Sequence, residues 1–332
     1  MLLSSTLAVG ISFFADASLF AADVELINVS YDPTREFYEE YNLAFQKFYK
    51  GKTGKDIEIV QSHGGSSKQA RTVIEGNEAD VVTLALAVDI TAIEEAGLIK
   101  EGWQKKFPKN SSPYTSTIVF LVREGNPKKI LDWNDLIREG VGVITPNPKT
   151  SGGARWNYLA AWAYADEVFN HDEAKVEEFI KKIFENVLVL DTGARGATNT
   201  FVQNGQGDVL LAWENEAYLA LDEAPGQFEI VAPPLSILAE PPVAIVDENV
   251  DKKGTREPAT EYLTFLYSDE GQRLAGKHYY RPSNPEIAKE FKDVFVLDMR
   301  LVTIDDPLFG GWKAAQVKHF EDNGVFDKIY VK

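Results

Sequence analysis

The sequence contains no cysteine among its 332 residues. A disulfide framework, a thiolate metal site and a cysteine nucleophile are therefore excluded. Methionine is scarce as well, because only Met1 and Met299 occur. Such economy suits a protein that is made when sulfur is scarce, and it equally suits an exported protein without free thiols. Both interpretations stay open on composition alone.

A long apolar segment and an excess of basic residues are also lacking. Beyond the first twenty residues, no stretch is apolar for long enough to cross a membrane as a helix. The net charge is -17 and no basic stripe offsets it, which argues against nucleic acid as a partner. This charge does not exclude a small anion, because backbone N–H groups in a screened site can hold one.

Residues 1–21 have the features of a secretory signal peptide. An apolar run from Leu2 to Phe14 precedes Leu19-Phe20-Ala21, which offers a small residue at the cleavage position. Two features depart from the usual pattern: no Lys or Arg precedes the run, and Asp16 lies within or just after it. The alternative is a buried first helix. We predict a signal peptide and hence export.

Strands alternate with helices from Asp23 onward, in two successive blocks. Asp32-Pro33 opens the first helix, because Asp is a good N-cap and Pro suits the first helical position. The apolar face of this helix is marked at three- and four-residue spacing by Phe37, Tyr41, Phe45 and Phe48. Alternation of this kind predicts an α/β fold with mainly parallel sheets flanked by helices. The predicted strands are Val24–Val29, Asp56–Val60, Asp80–Leu84, Gly142–Ile144, Val187–Leu190 and Asp208–Trp213.

Two extended segments, Thr115–Val122 and Ala239–Val246, are predicted to connect the blocks. They divide the mature chain into lobe I, residues 22–117 together with 243–332, and lobe II, residues 118–242. Two crossing strands of this kind form a hinge. The ligand cleft then lies between the lobes, at the carboxyl ends of the strands.

Three predicted strands are each followed by a short Gly/Ser turn and a helix, at residues 62–67, 150–154 and 192–197. Helix N-termini carry unpaired N–H groups and a partial positive charge, so they bind anions, and glycine lets the anion come close. Each turn on its own is equally an ordinary helix cap. Trp213, at the end of a strand, can point its indole N–H into the cleft, although core packing is the alternative.

The sequence motifs of other functions are incomplete or absent. Gly51-Lys52-Thr53 resembles the end of a P-loop, but it follows a helix rather than a strand. The four histidines have no metal-ligand spacing. Tyr279-Tyr280 is similar to the paired tyrosines of iron(III)-binding receptors, but no further anionic ligands accompany it. No nucleophile elbow is present. We therefore predict no enzymatic activity, no cofactor and no metal.

Several long segments closely resemble the periplasmic sulfate-binding proteins of bacterial ABC importers. The resemblance runs from about Asp23 to the C-terminus, and it extends to the related thiosulfate receptors. It implies a two-lobed type II periplasmic-binding-protein fold. The segments that carry it are Asn28–Glu36, Gln61–Ser66, Pro146–Trp162, Gly193–Gly196 and Ala212–Glu216.

The resemblance also implies a site that holds one sulfate ion with uncharged donors. These donors are the backbone N–H groups of Asp32, Ser66, Gly152, Gly153 and Ala194, the hydroxyl of Ser151 and the indole N–H of Trp213. The implied protein is a periplasmic monomer that delivers sulfate to the membrane permease of an ABC importer. Thiosulfate or another tetrahedral dianion, such as molybdate, is the alternative ligand. An enzyme acting on a sulfate ester is the alternative from another class, and it would need a nucleophile and usually a metal site.

Overall fold

The computed structural model describes residues 22–295 and 298–330. The predicted signal peptide, residues 1–21, lies outside the described residues. Within the described ranges, no helix combines the length and the apolar character that crossing a membrane requires.

Strands and helices alternate along most of the chain, as the sequence predicts. The strands are β1 (Val24–Tyr31), β2 (Ile57–Gly64), β3 (Val81–Thr83), β4 (Tyr114–Thr115), β5 (Ile118–Arg123), β6 (Val143–Pro146), β7 (Val187–Asp191), β8 (Val209–Trp213), β9 (Phe228–Val231), β10 (Leu235–Ile237), β11 (Val243–Ile245), β12 (Arg281–Pro282) and β13 (Arg300–Val302). The helices are α1 (Arg35–Thr53), α2 (Ser66–Ile74), α3 (Ala87–Glu95), α4 (Pro108–Ser111), α5 (Gly152–Val168), α6 (Glu173–Glu185), α7 (Ala194–Val202), α8 (Glu214–Glu223), α9 (Asp247–Lys253), α10 (Arg256–Phe265), α11 (Asp269–Lys277), α12 (Pro285–Ala288), α13 (Gly311–Ala315) and α14 (Val325–Ile329). Shorter helical turns are Asp32–Thr34, Trp103–Lys105, Trp133–Ile137, Lys289–Phe291 and the π-helical turn Gln316–Phe320.

Each lobe is built on one mixed sheet. The sheet of lobe I has the order β11-β3-β1-β2, in which β1 runs parallel to both neighbours and β11 runs antiparallel to β3. The sheet of lobe II has the order β7-β6-β8-β5-β9. In it, β6 runs parallel to β7 and β8, and β5 runs antiparallel to β8 and β9. The predicted two-lobed α/β fold is confirmed. The antiparallel pairs arise where a strand enters from the other lobe.

The two connecting segments cross side by side. Ser116 and Ala239 exchange both backbone hydrogen bonds, each with an N–O distance of 2.9 Å, just before β5 and β11 begin. Both residues are fully buried. A short antiparallel bridge of this kind leaves few backbone groups to rearrange, so it suits the predicted hinge.

The face of α1 that the sequence marks as apolar packs into lobe I. Phe37, Tyr41 and Phe45 are buried, and Phe45 meets Tyr262 of α10 edge to face with ring centroids 5.0 Å apart. Phe48 lies at the margin, where it stacks on Phe265 while keeping 37% of its surface exposed. Burial of each large aromatic side chain contributes about 1.5–3 kcal/mol, so this face fixes α1 against the sheet.

The C-terminal tail, residues 300–330, contacts lobe II. Strand β13 pairs parallel with β10, and the tail packs aromatic rings on α5 and α6. Phe326 meets Phe184 with ring centroids 5.2 Å apart, and Phe320 meets Tyr158 at 5.1 Å. The predicted boundaries put this tail in lobe I. The sequence did not predict its contacts with lobe II, because scattered aromatic residues without a period give no signal for their partner.

His319 of this tail predicts a pH-dependent stability. Its side chain is buried against Trp162, with ring centroids 4.5 Å apart, and burial together with the charge of Lys318 lowers its pKa to about 3. The unfolded histidine has a pKa near 6.5, so below that pH the unfolded chain binds a proton that the folded chain does not. This residue should therefore make the free energy of unfolding about 2 kcal/mol lower at pH 5 than at pH 7.

Urea unfolding of the wild type and of His319→Gln at both pH values measures this effect. The variant should be less stable than the wild type at either pH, because packing is lost. Its free energy of unfolding should nevertheless fall less between pH 7 and pH 5. Equal drops in the two proteins would contradict the assignment.

Candidate anion-binding site

A small cavity lies between the lobes, where three helices and a 3₁₀ turn begin. Among the described residues that line it, none carries a cationic side chain. The lining residues are Tyr31, Asp32, Pro33, Gly64, Gly65, Ser66, Ala85, Ser151, Gly152, Gly153 and Ala194. The structure thus brings six of the seven predicted site residues to one cavity. Trp213, the seventh, lines an adjoining cavity that shares Gly153 and Ala194 with the first.

Ser66 contributes the first helical position of α2 from lobe I. Its hydroxyl donates to Asp89 Oδ2 at 2.5 Å and accepts from the backbone N–H of Ala85 at 3.0 Å. The side chain is therefore occupied within lobe I. The N–H of a first helical residue takes no part in the helical ladder, so at Ser66 it is the group left for a ligand.

Asp32 differs from the prediction that its side chain caps a helix. Tyr31 holds the cap position, and Asp32 is the first residue of a 3₁₀ turn that precedes α1. Its carboxylate instead points across the cleft, where a Cβ on Gly193 would lie 2.0 Å from Oδ2. Burial raises the pKa of Asp32, and the charges of Arg35 and Arg195 oppose that rise.

The start of α5 supplies donors from lobe II. Ser151 is the N-cap, and its hydroxyl oxygen accepts from the N–H of Ala154 at 3.3 Å. The hydroxyl proton remains free to be donated in another direction, because accepting a hydrogen bond does not use it. Gly152 and Gly153 follow as the first two helical residues, whose N–H groups lie outside the helical ladder.

Two glycines of α5 are required by close contacts rather than by their backbone angles. A Cβ on Gly152 would lie 2.6 Å from the Cβ of Ala85 in lobe I. A Cβ on Gly153 would lie 2.4 Å from Nε1 of Trp213 in lobe II. Real Cβ atoms do not come this close, so any larger residue here would push apart the groups that form the cavity.

Trp213 has a buried indole N–H with an unmet hydrogen bond. The residue is 1% exposed, and Nε1 has no hydrogen-bond partner within residues 22–295 and 298–330. Its ring lies against Tyr31, with centroids 5.4 Å apart. Leaving such a donor unpaired costs about 1–3 kcal/mol, so native structures rarely do so without a bound partner.

Ala194 begins α7 after its cap residue, Gly193, and the next residue binds lobe I. Arg195 makes a bidentate ion pair with Glu36 at 2.7 Å, and it also donates to Glu216 at 2.9 Å. Glu216 is buried, and burial raises its pKa against the charge of Arg195. No pattern in the sequence predicts this bridge, although both Arg195 and Glu216 lie in the segments that resemble known receptors.

Two further contacts join the lobes beside the cavity. The indole N–H of Trp156 donates to the carbonyl of Ala85 at 3.0 Å. Arg155 lies 3.7 Å from Asp89, the same carboxylate that accepts from Ser66. Burial raises the pKa of Asp89, whereas the charge of Arg155 opposes the rise. These contacts describe a closed arrangement of the lobes.

His63 is a further titratable group near the cavity. Burial, reinforced by the charge of Arg35, lowers its pKa to about 4. The ring is therefore neutral above about pH 5. In the part of the chain that the structure describes, no group of three or more His, Cys, Asp or Glu side chains is placed to hold a metal ion.

The fold and this enclosed interlobe cavity define the class of two-lobed solute-binding proteins. The chain belongs to the family of bacterial extracellular solute-binding proteins, whose family model matches residues 27–281. It is 60% identical over 323 residues to the sulfate-binding protein of Escherichia coli (strain K12), covering 97% of this chain and 98% of that protein. It is 51% identical over 330 residues to the thiosulfate-binding protein of Pseudomonas aeruginosa, covering 98% and 97%.

Among solved structures, the fold matches the sulfate-binding protein SubI from Mycobacterium tuberculosis H37Rv. The TM-score is 0.81 at 33% identity, and the match covers 90% of this chain and 100% of that chain. The fructose-6-phosphate-bound periplasmic binding protein AfuA from Actinobacillus pleuropneumoniae matches with a TM-score of 0.66 at 16% identity, over 92% of this chain and 98% of that one. The second match shows a shared fold alone.

The two adjacent glycines of α5 give a matched pair of variants. In Gly153→Ala the new methyl group meets Trp213 within lobe II, so the free energy of unfolding should fall by about 1–3 kcal/mol. In Gly152→Ala it meets lobe I, and separation of the lobes relieves the contact, so stability without ligand should stay close to wild type. Denaturant unfolding of both variants tests this difference, and equal losses would contradict it.

Proposed function

We propose that this protein binds one sulfate ion between its lobes and delivers it to the permease of an ABC importer. The observation that carries the proposal is the buried N–H of Trp213, unpaired within the described chain, beside a cavity lined by helix starts and by no cationic side chain. Sulfate at neutral pH is a dianion that carries only hydrogen-bond acceptors. A lining of hydrogen-bond donors can therefore pair with every acceptor of the ion.

The proposed ligand contacts come from both lobes. They are the backbone N–H groups of Asp32, Ser66, Gly152, Gly153 and Ala194, the hydroxyl of Ser151 and the indole N–H of Trp213. Hydrogen bonds to a charged group are worth roughly 1.5–3 kcal/mol each, before the cost of removing water from the ion. A net of ~8 kcal/mol corresponds to micromolar affinity. An ion that contacts both lobes favours the closed state by its higher affinity for that state.

The comparisons support sulfate as the ligand. Relatives named sulfate-binding proteins reach 60% identity over nearly the whole chain, whereas the relatives named thiosulfate-binding proteins reach 51% and 46%. Thiosulfate remains the second candidate because of this similarity. Calorimetric titration with both ions separates the candidates.

The proposed setting follows from the same relatives. A solute-binding protein presents its ligand to a membrane permease and catalyses no reaction itself. We place this protein in the periplasm as a monomer, without cofactor, metal or nucleic acid. A sulfate-ester hydrolase is the rival from another class, and release of sulfate from an ester substrate by the purified protein would contradict the proposal.

Replacing Trp213 by Phe tests the indole donor. The ring is largely kept while the N–H is lost, so sulfate binding should weaken by about 1.5–3 kcal/mol, or roughly 10- to 150-fold in Kd. Trp133→Phe is the matched control. That residue is also fully buried in lobe II, but its N–H donates to the carbonyl of Leu235 at 2.8 Å. The control should lose stability and keep its affinity in calorimetry. Unchanged affinity in Trp213→Phe would remove Trp213 from the site.

Phosphate should bind far more weakly than sulfate. Near neutral pH phosphate carries a proton, which would meet a donor instead of an acceptor, at a cost of roughly 1–3 kcal/mol or more. Sulfate affinity should stay nearly constant from pH 5 to pH 8, because the ion does not titrate there and the pKa of His63 is about 4. Competition calorimetry across this range measures both. Sulfate affinity that rises toward pH 5 in folded protein would show that Asp32 takes up a proton beside the ion.

A further inference from the structure

We propose that Lys149 is a positioning residue for the anion site. It joins the C-terminal tail to the loop of residues 147–151 and so fixes the start of α5. This inference rests on the proposed function, because its ligand is sulfate. The placement of the loop, however, can also be measured in the protein without ligand. Lys149 is not among the residues that line the cavity, so it acts through the loop and does not contact the ion.

The ammonium group of Lys149 has three acceptors in the tail. Nζ donates to the carbonyls of Phe320 at 3.0 Å and Glu321 at 3.3 Å, and to Asp327 Oδ2 at 2.8 Å. These bonds use all three of its protons. The bond from Lys149 lowers the pKa of Asp327, so this carboxylate stays charged and balances the ammonium charge.

The loop itself is closed by its own backbone. The carbonyl of Asn147 accepts from the N–H groups of Thr150 at 3.1 Å and Ser151 at 2.9 Å, and its side chain accepts from the N–H of Lys149 at 2.9 Å. A lysine anchored at its far end therefore restrains a rigid turn. The direction of the first turn of α5 follows from that restraint.

The same loop also supports the second donor element of lobe II. The hydroxyl of Thr150 donates to the carbonyl of Thr192 at 2.9 Å, in the turn just before α7. Gly65 of lobe I packs onto this pair of residues. A Cβ there would lie 2.5 Å from the Thr150 carbonyl oxygen and 2.8 Å from that of Thr192. A shift of the loop would therefore disturb two donor elements and the surface on which lobe I closes.

Arg155 makes a second connection between the C-terminal tail and the loop, which supports the proposed role of Lys149. Arg155 donates from Nη1 to Gln316 Oε1 at 2.9 Å and from Nε to the carbonyl of Pro148 at 2.8 Å. Its guanidinium also lies 5.3 Å from the centroid of the Phe320 ring. The π-helical turn Gln316–Phe320 is thus joined to the loop through both Lys149 and Arg155. Irregular helical turns of this kind are frequent at functional sites.

The test uses Lys149→Met, Lys149→Arg and the control Lys128→Met in the full-length protein. Lys128 is also a lobe II lysine, and its Nζ donates to the carbonyl of Gly140 at 2.8 Å, in an exposed bond that the anion site does not use. Sulfate titration should show affinity about tenfold weaker in Lys149→Met, because small displacements of donors weaken a rigid site. Lys149→Arg should recover most of the affinity, and the control should match the wild type.

Amide hydrogen exchange without sulfate gives a readout that does not depend on the ligand. The N–H groups of Thr150 and Ser151 should exchange faster in Lys149→Met than in the wild type, while the amides of β1 stay protected. Should Lys149→Met unfold, Asp327→Asn removes the negative charge opposite the ammonium group and should show the same changes to a smaller degree. Wild-type affinity or wild-type exchange in Lys149→Met would overturn the inference, as would equal losses in the Met and Arg variants. Failure of the wild type to bind sulfate would refute the proposed function, and the exchange data would still decide the role of the loop.

Discussion

The site depends on how closely the backbone at three glycines approaches atoms of the opposite lobe across the cleft. Gly65, Gly152 and Gly193 each lie so near an atom of the opposite lobe that a Cβ would fall within 2.0–2.6 Å of it. None of these residues has a left-handed φ, so they are not turn glycines. Glycine is needed because N–H groups can surround a small ion only where no side chain stands between them. Trp213 lies beside the cavity and lines the adjoining one, which shares Gly153 and Ala194 with it.

Cationic side chains lie one layer behind this shell of donors. Each of three cationic side chains has its own carboxylate partner: Arg155, Arg195 and Lys149. Among the described residues, none of these three lines the cavity. They hold helix starts and lobes in position, while the helix starts themselves line the cavity. A site of this kind leaves no buried cation without a partner when the ion departs, so release costs less than it would from an arginine or lysine clamp.

The sequence predicted those parts of the structure that local chemistry determines. The starts of α2, α5 and α7 follow from Gly/Ser turns, and the apolar face of α1 follows from its spacing. The predicted cap at Asp32 was wrong, because its carboxylate turns toward lobe II, and that interaction is set by the fold. The pair of Glu36 and Arg195 spans 159 residues, and no pattern within either segment predicts such a partner. The role of Trp213 as a ligand donor was predicted only through a resemblance, because a sequence does not distinguish one buried tryptophan from another.

The C-terminal tail bears on the order in which the chain can fold. Lobe II receives β13 and the aromatic rings of Phe320 and Phe326 from the last segment of the chain, more than a hundred residues after its own α5 and α6. Contacts of such long sequence separation form late and slow the folding of a domain. Lobe I in turn needs β11, which extends its sheet beside β3, and β12, which pairs with β4. A partial chain that stops before β13 therefore lacks part of the core of lobe II, and that lobe becomes fully packed only after the tail has been made.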